Sequence, residues 1–295
     1  MNTEDFELIT SLLRKRSGLV LTRDKMYLLE SRLTPVARTF GLGNLQGLVD
    51  AIRKRPDPKL IDEVVDAMTT NESFFFRDIK PFDQFRDHVL PELLKARAAQ
   101  RTIRIWSAAC SSGQEAYSLC MLLKDSAHRL AGWKVEIIGT DISREMLTKA
   151  RRGVYSQFEV QRGLPITNLV KYFGQEGDKW TISAELRSMV QFREFNLLDD
   201  PRGLGMFDVV FCRNVLIYFD QETKAKVLHG IGGVMRPDSY LYLGGAETVL
   251  GVTDRFAPLA GMRGIYGHVT RDAAPRDASR EATSHAAGTT MRAAV

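Results

Sequence analysis

Cysteine is scarce in this sequence of 295 residues, and its three copies lie far apart. Cys110, Cys120 and Cys212 form no C-x-x-C pair, so neither a disulfide framework nor a structural zinc site is favoured, and we predict no metal. The sequence also lacks any run of about 18 apolar residues that could cross a bilayer. Its acidic start lacks the basic lead of a signal peptide, so we expect a cytoplasmic location.

A strong net charge is also absent, because 41 Lys and Arg residues are balanced by 36 Asp and Glu residues. Nucleic-acid-binding domains usually concentrate much more positive charge, so no nucleic-acid partner is predicted. The charge is nevertheless uneven, since residues 11–60 hold eleven basic and only four acidic residues. This excess favours an acidic partner, although a solvated helix face is the ordinary explanation of such a run.

The spacing of apolar residues changes along the chain. Residues 1–75 carry four amphipathic segments with helical spacing, which predicts an N-terminal helical domain. Gly18 is expected to end the first helix, and Pro35 to kink or split the second. From Thr102 onward, short apolar strands alternate with helices, which is typical of βαβ units around a mostly parallel sheet.

The second part is predicted to form one α/β domain over residues 76–270. We predict strands at 103–107, 135–140, 190–195, 207–212, 240–244 and 265–269, and helices at 114–123, 144–151 and 221–235. Residues 153–188 interrupt this rhythm and are interpreted as a small inserted subdomain, with a hairpin turn at 174–178. Residues 271–295 have no apolar period, so we predict a disordered tail.

Small residues follow the first predicted strand and lead into a helix, between Trp106 and Glu115. Only Gly113 is a glycine there, so a dinucleotide phosphate cradle is poorly represented, whereas a nucleoside of low charge fits. At the end of the second strand, Asp141 has the position from which a carboxylate accepts hydrogen bonds from ribose hydroxyls. The alternatives are tight packing for the βα turn and a helix N-cap role for Asp141.

Two asparagines follow the third and fourth predicted strands, Asn196 and Asn214. A side-chain amide donates and accepts hydrogen bonds at once, which suits a ligand site. Each asparagine is also explained as a turn residue that tolerates a left-handed backbone. Four successive strand ends with polar residues favour one shared site at the carboxyl edge of the sheet.

An unusual segment precedes the sheet at residues 69–77. Its three consecutive phenylalanines match neither a helical nor a strand period, so the segment is predicted to span a buried face and an accessible one. Packing between the helical domain and the sheet is expected to explain most of these aromatic residues. It does not explain Asn71, Ser73 and Arg77.

Several motifs together carry a family resemblance. T-N-E-S-F-F-F-R stands at 70–77, W-S-A-A-C-S-S-G-Q-E-A-Y-S at 106–118, G-T-D-I-S at 139–143, N-L-L at 196–198 and R-N-V-L-I-Y-F at 213–219. Over residues 5–270 the sequence thereby resembles the CheR family, the chemotaxis receptor methyltransferases. Gln114 and Ala116 depart from the family's second motif. The family's late G-H-S-E motif stands as G-G-A-E at 244–247, which puts in doubt a role of that loop in substrate handling.

The resemblance implies an α/β fold, a Rossmann-like class I methyltransferase sheet with an N-terminal helical domain and a small inserted β-subdomain. It implies an enzyme that transfers a methyl group from S-adenosylmethionine to glutamate side chains of membrane chemoreceptors, leaving S-adenosylhomocysteine. Motif by motif, it gives as cofactor-binding residues Asn71, Ser73, Arg77, Glu115, Asp141, Asn196, Leu197, Arg213 and Asn214.

The implied reaction needs no general base, since a glutamate carboxylate with a pKa of about 4.3 is ionised at neutral pH. All five histidines are therefore expected to be structural or surface residues, and catalysis to rest on alignment and exclusion of water. By position, Asp141 is expected to hold the ribose, Asn196 and Leu197 the adenine, and Glu115 the methionine amino group.

Two further roles concern the substrate. Arg77 is expected near the methionine carboxylate or the incoming glutamate, and Tyr218 along the methyl-transfer channel. Because the family's receptor segments are acidic helices, the basic region is expected to dock them through Lys25 and Arg32, one heptad apart on the second helix, and Arg38. We expect a monomer.

Two other functions stay open at this point. A Rossmann-like methyltransferase for a small molecule or another protein is favoured by Gly245 and Ala246, which depart from the family motif. A module that binds the nucleoside without catalysis is the second. A nicotinamide dehydrogenase is least favoured, because the phosphate-binding glycines are missing.

Overall fold

The computed structural model describes residues 2–269, and the tail predicted at 271–295 lies outside them. Its α-helices are α1 (Thr3–Ser17), α2 (Met26–Thr39), α3 (Leu45–Lys54), α4 (Pro58–Met68), α5 (Lys80–Gln84), α6 (Leu90–Ala96), α7 (Gln114–Asp125), α8 (Arg144–Arg152), α9 (Gln157–Gln161), α10 (Ile166–Tyr172), α11 (Ala184–Ser188) and α12 (Gln221–Gly233). Its strands are β1 (Thr102–Ala108), β2 (Lys134–Asp141), β3 (Val154–Ser156), β4 (Phe173–Glu176), β5 (Lys179–Ile182), β6 (Val190–Glu194), β7 (Phe207–Cys212), β8 (Met235–Leu243), β9 (Phe256–Pro258) and β10 (Ile265–His268).

The first four helices pack around an apolar core of their own, in which Ile9, Leu33 and Val64 are fully buried. Helix α1 ends as predicted, because Gly18 adopts the left-handed backbone (φ 76°) and its N–H donates to the Arg14 carbonyl. Helix α2 continues through Pro35, so the helix is not split there, which was one of the two predicted outcomes.

A seven-stranded sheet forms the centre of the larger part, in the order β6-β2-β1-β7-β8-β10-β9. The first five of these strands are parallel, while β10 is antiparallel to both of its neighbours. This arrangement confirms the predicted Rossmann-like class I methyltransferase sheet. The strands that follow β1 in the chain, β2 and then β6, lie on one side of it, whereas β7 and β8 lie on the other. The strand order therefore reverses between β1 and β7, and α/β sheets bind ligands beyond the strand ends at such a point.

The segment between α8 and β6 forms a three-stranded antiparallel sheet in the order β3-β5-β4. The turn at Gly177 and Asp178 joins β4 to β5, close to the hairpin turn predicted at 174–178. Helices α9 and α10 connect β3 to β4. The small sheet packs on the core of the large one through Tyr155 and Phe173, which are buried beside Phe75.

No helix in residues 2–269 is long and apolar enough to span a bilayer. Cys110, Cys120 and Cys212 are free and buried.

Candidate active site

One cavity lies at the carboxyl ends of β1, β2, β6 and β7, beneath the segment that joins α4 to α5. The sequence motifs are far apart in the chain, yet this cavity brings all of the predicted cofactor residues together. They are Asn71, Ser73, Arg77, Glu115, Asp141, Asn196, Leu197, Arg213 and Asn214. Tyr218 lines the same cavity, whereas Lys25, Arg32 and Arg38 lie outside it.

Asp141 closes one end of the cavity and is nearly fully buried. Its Oδ2 accepts the Ser111 backbone N–H at 2.7 Å, and its Oδ1 accepts that of Ser143 at 2.9 Å. Ser143 itself caps α8, so the structure excludes the alternative that Asp141 is the N-cap. Burial raises the pKa of Asp141, although the two backbone N–H groups oppose that shift. Each carboxylate oxygen retains a lone pair for a ligand.

Glu115 lies at the first turn of α7 and accepts two hydrogen bonds that fix its carboxylate. The Ser107 hydroxyl donates to Oε1 at 2.9 Å, and Arg213 donates to Oε2 at 3.0 Å. The Arg213 side chain is only 1% exposed and also pairs with Asp78 at 2.6 Å. These contacts fix the Arg213 guanidinium against Glu115 and Asp78, while Arg213 remains part of the cavity lining.

The three consecutive phenylalanines have three separate environments. Phe75 is fully buried and packs edge-on against Tyr155 of β3, at 5.0 Å between ring centroids. Phe76 contacts Phe82 of α5, and Phe74 lines the cavity. The expectation that these rings pack between the helical domain and the sheet is therefore wrong, because the inserted subdomain takes the space against Phe75.

Phe74 lies between two guanidinium groups at the mouth of the cavity. Arg77 is 5.3 Å and Arg162 is 4.4 Å from its ring centroid, both within the range of a cation–π contact. Arg77 donates to the Glu72 carbonyl at 2.8 Å, and Arg162 pairs with the Glu72 carboxylate and lowers its pKa. Arg162 belongs to the inserted subdomain, so this cluster joins that subdomain to the cavity.

The helical domain closes another side of the cavity, which the sequence did not predict. Ser17 and Leu19, just after α1, are part of its lining. The Asn196 amide donates to the Arg16 carbonyl at 2.6 Å, and the Val20 N–H donates to the Tyr218 carbonyl at 2.9 Å. No local pattern marks Ser17 or Leu19, because their position depends on how α1 packs against the sheet.

The three predicted docking residues lie in the helical domain with different surroundings. Lys25 is exposed in a 3₁₀ turn that precedes α2. The expectation that Lys25 lies on the second helix is therefore wrong. Arg38 is exposed near the end of α2. Arg32 donates to the Met68 and Thr69 carbonyls at 3.0 and 2.8 Å, which gives it a structural task at the end of α4.

Much of the basic excess in residues 11–60 is already neutralised within the molecule. Ion pairs join Arg14 to Asp220, Arg16 to Asp62, Arg23 to Glu7 and Arg53 to Asp5. In the described part of the chain, Lys25 and Arg38 have no such acidic partner within 4 Å. They are therefore the best placed of the predicted cations to meet an external acidic group.

Comparison with known proteins agrees with this geometry. The model described as "CheR methyltransferase, SAM binding domain" matches residues 71–265, and "CheR methyltransferase, all-alpha domain" matches residues 4–69. Chemotaxis protein methyltransferase 1 of Pseudomonas aeruginosa is 44% identical over 265 residues, which cover 88% of this chain and 96% of that protein.

Two further relatives give the same result. Chemotaxis protein methyltransferase Cher2 of Pseudomonas putida is 41% identical, with 88% of this chain and 96% of that protein covered. The chemotaxis protein methyltransferase of Vibrio parahaemolyticus is 39% identical, with 87% and 93% covered. These matches extend over both the helical domain and the sheet, and the chain therefore belongs to the CheR family of S-adenosylmethionine-binding methyltransferases.

Proposed function

We propose that this protein transfers a methyl group from S-adenosylmethionine to glutamate carboxylates of chemoreceptors, which produces glutamate methyl esters and S-adenosylhomocysteine. The observation that carries the proposal is the single cavity in which residues from four strand ends and the 69–77 segment meet. The relatives named as chemotaxis methyltransferases support the receptor as substrate. The reaction is assigned to the cytoplasm, where the acidic helices of the receptors lie.

The lining of the cavity fits S-adenosylmethionine. In this assignment Asp141 accepts hydrogen bonds from the ribose, and Asn196 and Leu197 flank the adenine. Glu115 accepts from the amino group of the methionine moiety, because its carboxylate is fixed by neighbours and still has free lone pairs. Small residues after β1, such as Ala109 and Ser111, allow the backbone to approach the nucleoside closely.

The chemistry then requires little besides positioning. The bound cofactor supplies an electrophilic methyl group, and the substrate carboxylate is already ionised at neutral pH. The residues of this chain therefore act by aligning the carboxylate and by excluding water, and alignment alone is worth roughly 7–11 kcal/mol in favourable systems. Arg77 is assigned to an anionic group at the mouth, either the methionine carboxylate or the incoming glutamate. Tyr218 is assigned to the wall of the transfer channel.

Lys25 and Arg38 are proposed to attract the acidic receptor helix to the helical domain. Both are exposed, and neither has an acidic partner within the described residues. Esterification removes one negative charge from the substrate, so the modified helix is held less strongly and is released. Surface charges contribute chiefly to the rate of association and to its salt dependence.

The direct test is incubation of the protein with receptor-containing membranes and methyl-labelled S-adenosylmethionine. We expect label on the receptor that alkali releases, as a methyl ester requires, and no transfer by an Asp141→Ala variant that remains folded. Label on a small molecule or on a different protein would support the first alternative function. Cofactor binding without transfer to any receptor would support the non-catalytic one.

A further inference from the structure

Glu247 lies outside the cofactor cavity, yet it contacts the segment 213–218, which carries four residues of the cavity lining. Its carboxylate accepts five backbone N–H groups. Oε1 accepts from Val215, Leu216 and Ile217 at 2.9, 2.7 and 3.3 Å, and Oε2 accepts from Asn214 and Gly244 at 2.8 and 2.6 Å.

This carboxylate is buried without a countercharge. The residue is 8% exposed, and among residues 2–269 no Lys, Arg or His forms an ion pair with it. A buried carboxylate is costly unless its charge is balanced, and here the balance comes from N–H dipoles converging on both oxygens. Two of these donors, Leu216 and Ile217, belong to the 3₁₀ turn Leu216–Tyr218, and a third, Val215, directly precedes it, so the carboxylate lies at the N-terminus of the turn, which favours negative charge.

The segment held in this way is conformationally demanding. Asn214 adopts the left-handed backbone with φ 60°, an uncommon conformation for a residue with a side chain. Such backbone persists where the surrounding structure over-determines it. Arg213, Asn214, Val215 and Tyr218 all line the cofactor cavity, so any shift of this segment displaces groups that face the cofactor.

Gly244 shows how closely the two segments fit. A Cβ atom at this position would lie 2.7 Å from the side-chain Nδ2 of Asn214 and 2.7 Å from Glu247 Oε2. Gly245, by contrast, has open space where its Cβ would be. The loop thus departs from the family motif at Gly245 and Ala246. It keeps Glu247, which accepts from the 214–217 backbone, and Gly244, which leaves room for this contact.

We propose that Glu247 is a positioning residue for methyl transfer, which holds the backbone of residues 214–217 so that Asn214 and Tyr218 face the cofactor. The inference rests on the proposed function for its kinetic test. The inference does not depend on the His and Ser that the family's G-H-S-E motif has and this chain lacks, because the contacts of Glu247 are made by its carboxylate alone.

The first test is Glu247→Gln, which keeps the size of the side chain. Only one of its two terminal atoms can accept, so two or three backbone N–H groups would face an NH₂ group. The matched control is Asp208→Asn, because Asp208 is a buried carboxylate at the opposite end of the sheet that accepts from Arg97 and from the Arg104 N–H. Both variants are expected to lower the melting temperature.

The kinetic result separates positioning from stability. We expect Glu247→Gln to lower kcat about 100-fold, as displacement of aligned groups by about 1 Å does, with little change in the KM for receptor. Asp208→Asn is expected to retain nearly full turnover per folded molecule. Equal losses in the two variants would overturn the proposal.

Turnover of a Gly244→Ala variant and amide hydrogen exchange of residues 214–217 provide two further tests. If Glu247→Gln does not fold, Gly244→Ala disturbs the same contact without changing charge, and full turnover in that variant would refute the proposal. In the cofactor-free protein, amide hydrogen exchange of residues 214–217 is expected to be faster in Glu247→Gln than in the parent protein. Unchanged exchange would also refute it, and this readout is independent of whether receptors are the substrate.

Discussion

The contact between Glu115 and Arg213 allows a prediction in which stability and cofactor binding change by different amounts. Glu115→Gln keeps the shape of the side chain but removes the charge that faces the buried guanidinium. The glutamine carbonyl can still accept from Arg213, and Asp78 still neutralises part of its charge. The loss is therefore the difference between a charge-assisted and a neutral hydrogen bond, about 1 kcal/mol in the free energy of unfolding. We expect the melting temperature to fall by about 2 °C.

Cofactor affinity should respond more sharply in the same variant. Glu115 is assigned to the amino group of the methionine moiety, and loss of a charge-assisted hydrogen bond there costs about 1.5–3 kcal/mol. The dissociation constant for S-adenosylhomocysteine, measured by titration calorimetry, is expected to rise about 10- to 100-fold.

A matched control is Glu136→Gln. Glu136 lies on β2, at the end of the sheet opposite the cavity, and forms an ion pair with Arg104 of β1. The variant is expected to destabilise the protein slightly and to leave the cofactor affinity unchanged. If Glu115→Gln bound S-adenosylhomocysteine as tightly as the parent protein, or if Glu136→Gln lost as much affinity, the assignment of Glu115 would be wrong.

Four further perturbations, each at one or two residues, have distinct expected effects. Gly18→Ala should destabilise the protein by about 1–2 kcal/mol in chemical unfolding, because the left-handed backbone disfavours a side chain and the new Cβ would contact an aromatic ring at 3.0 Å. Arg77→Ala should lower kcat or cofactor affinity about 10-fold or more, and unchanged values of both would remove it from the site. Charge reversal at Lys25 and Arg38 should raise the KM for receptor, most strongly at low salt, while sparing cofactor affinity measured by calorimetry. Burial raises the pKa of Asp141, so this carboxyl group should become protonated at a pH above the ordinary aspartate range. Acidification to that pH should weaken S-adenosylhomocysteine binding. In the cofactor-free protein, the free energy of unfolding should fall as the pH rises through the raised pKa.

The sheet was predictable because its central strands are short, apolar and regularly separated by helices. The predicted strand at 207–212 matches β7 in both its ends. The strand predicted at 240–244 instead begins at Met235, since the residues that follow Met235 are Arg, Pro and Asp, which are partly or fully exposed and carry no apolar pattern. Strand β9 has only three residues, Phe256–Pro258, and is defined by pairing with β10 instead of by a pattern of its own.

The candidate site was partly predictable for a related reason. The carboxyl ends of parallel strands meet at one edge, so Asp141 and Asn214 could be expected to converge from their position in the sequence alone. Contacts made across the domains had no such local signal. Ser17, which lines the cavity, and Arg162, which pairs with Glu72, were missed because each is placed by tertiary packing.

The same limit applies to the roles of charged residues. In the sequence, Glu247 is only the last residue of the altered motif at 244–247. Its five N–H donors are brought to it because the 214–217 segment packs against this loop in the fold. Arg32 was expected to face a partner, but its guanidinium is used on the carbonyls that end α4. A sequence gives the charge of such residues, whereas their partners depend on the fold.

We propose that this cavity directs methyl transfer to receptor glutamates. This proposal is tested most directly by peptide mass spectrometry of a chemoreceptor after incubation with the protein and S-adenosylmethionine that carries a deuterated methyl group. We predict deuterated methyl groups on glutamate side chains, removable by alkali and absent when the Asp141→Ala variant is used. Methylation of another residue type, or an unmodified receptor in the presence of bound cofactor, would contradict the account.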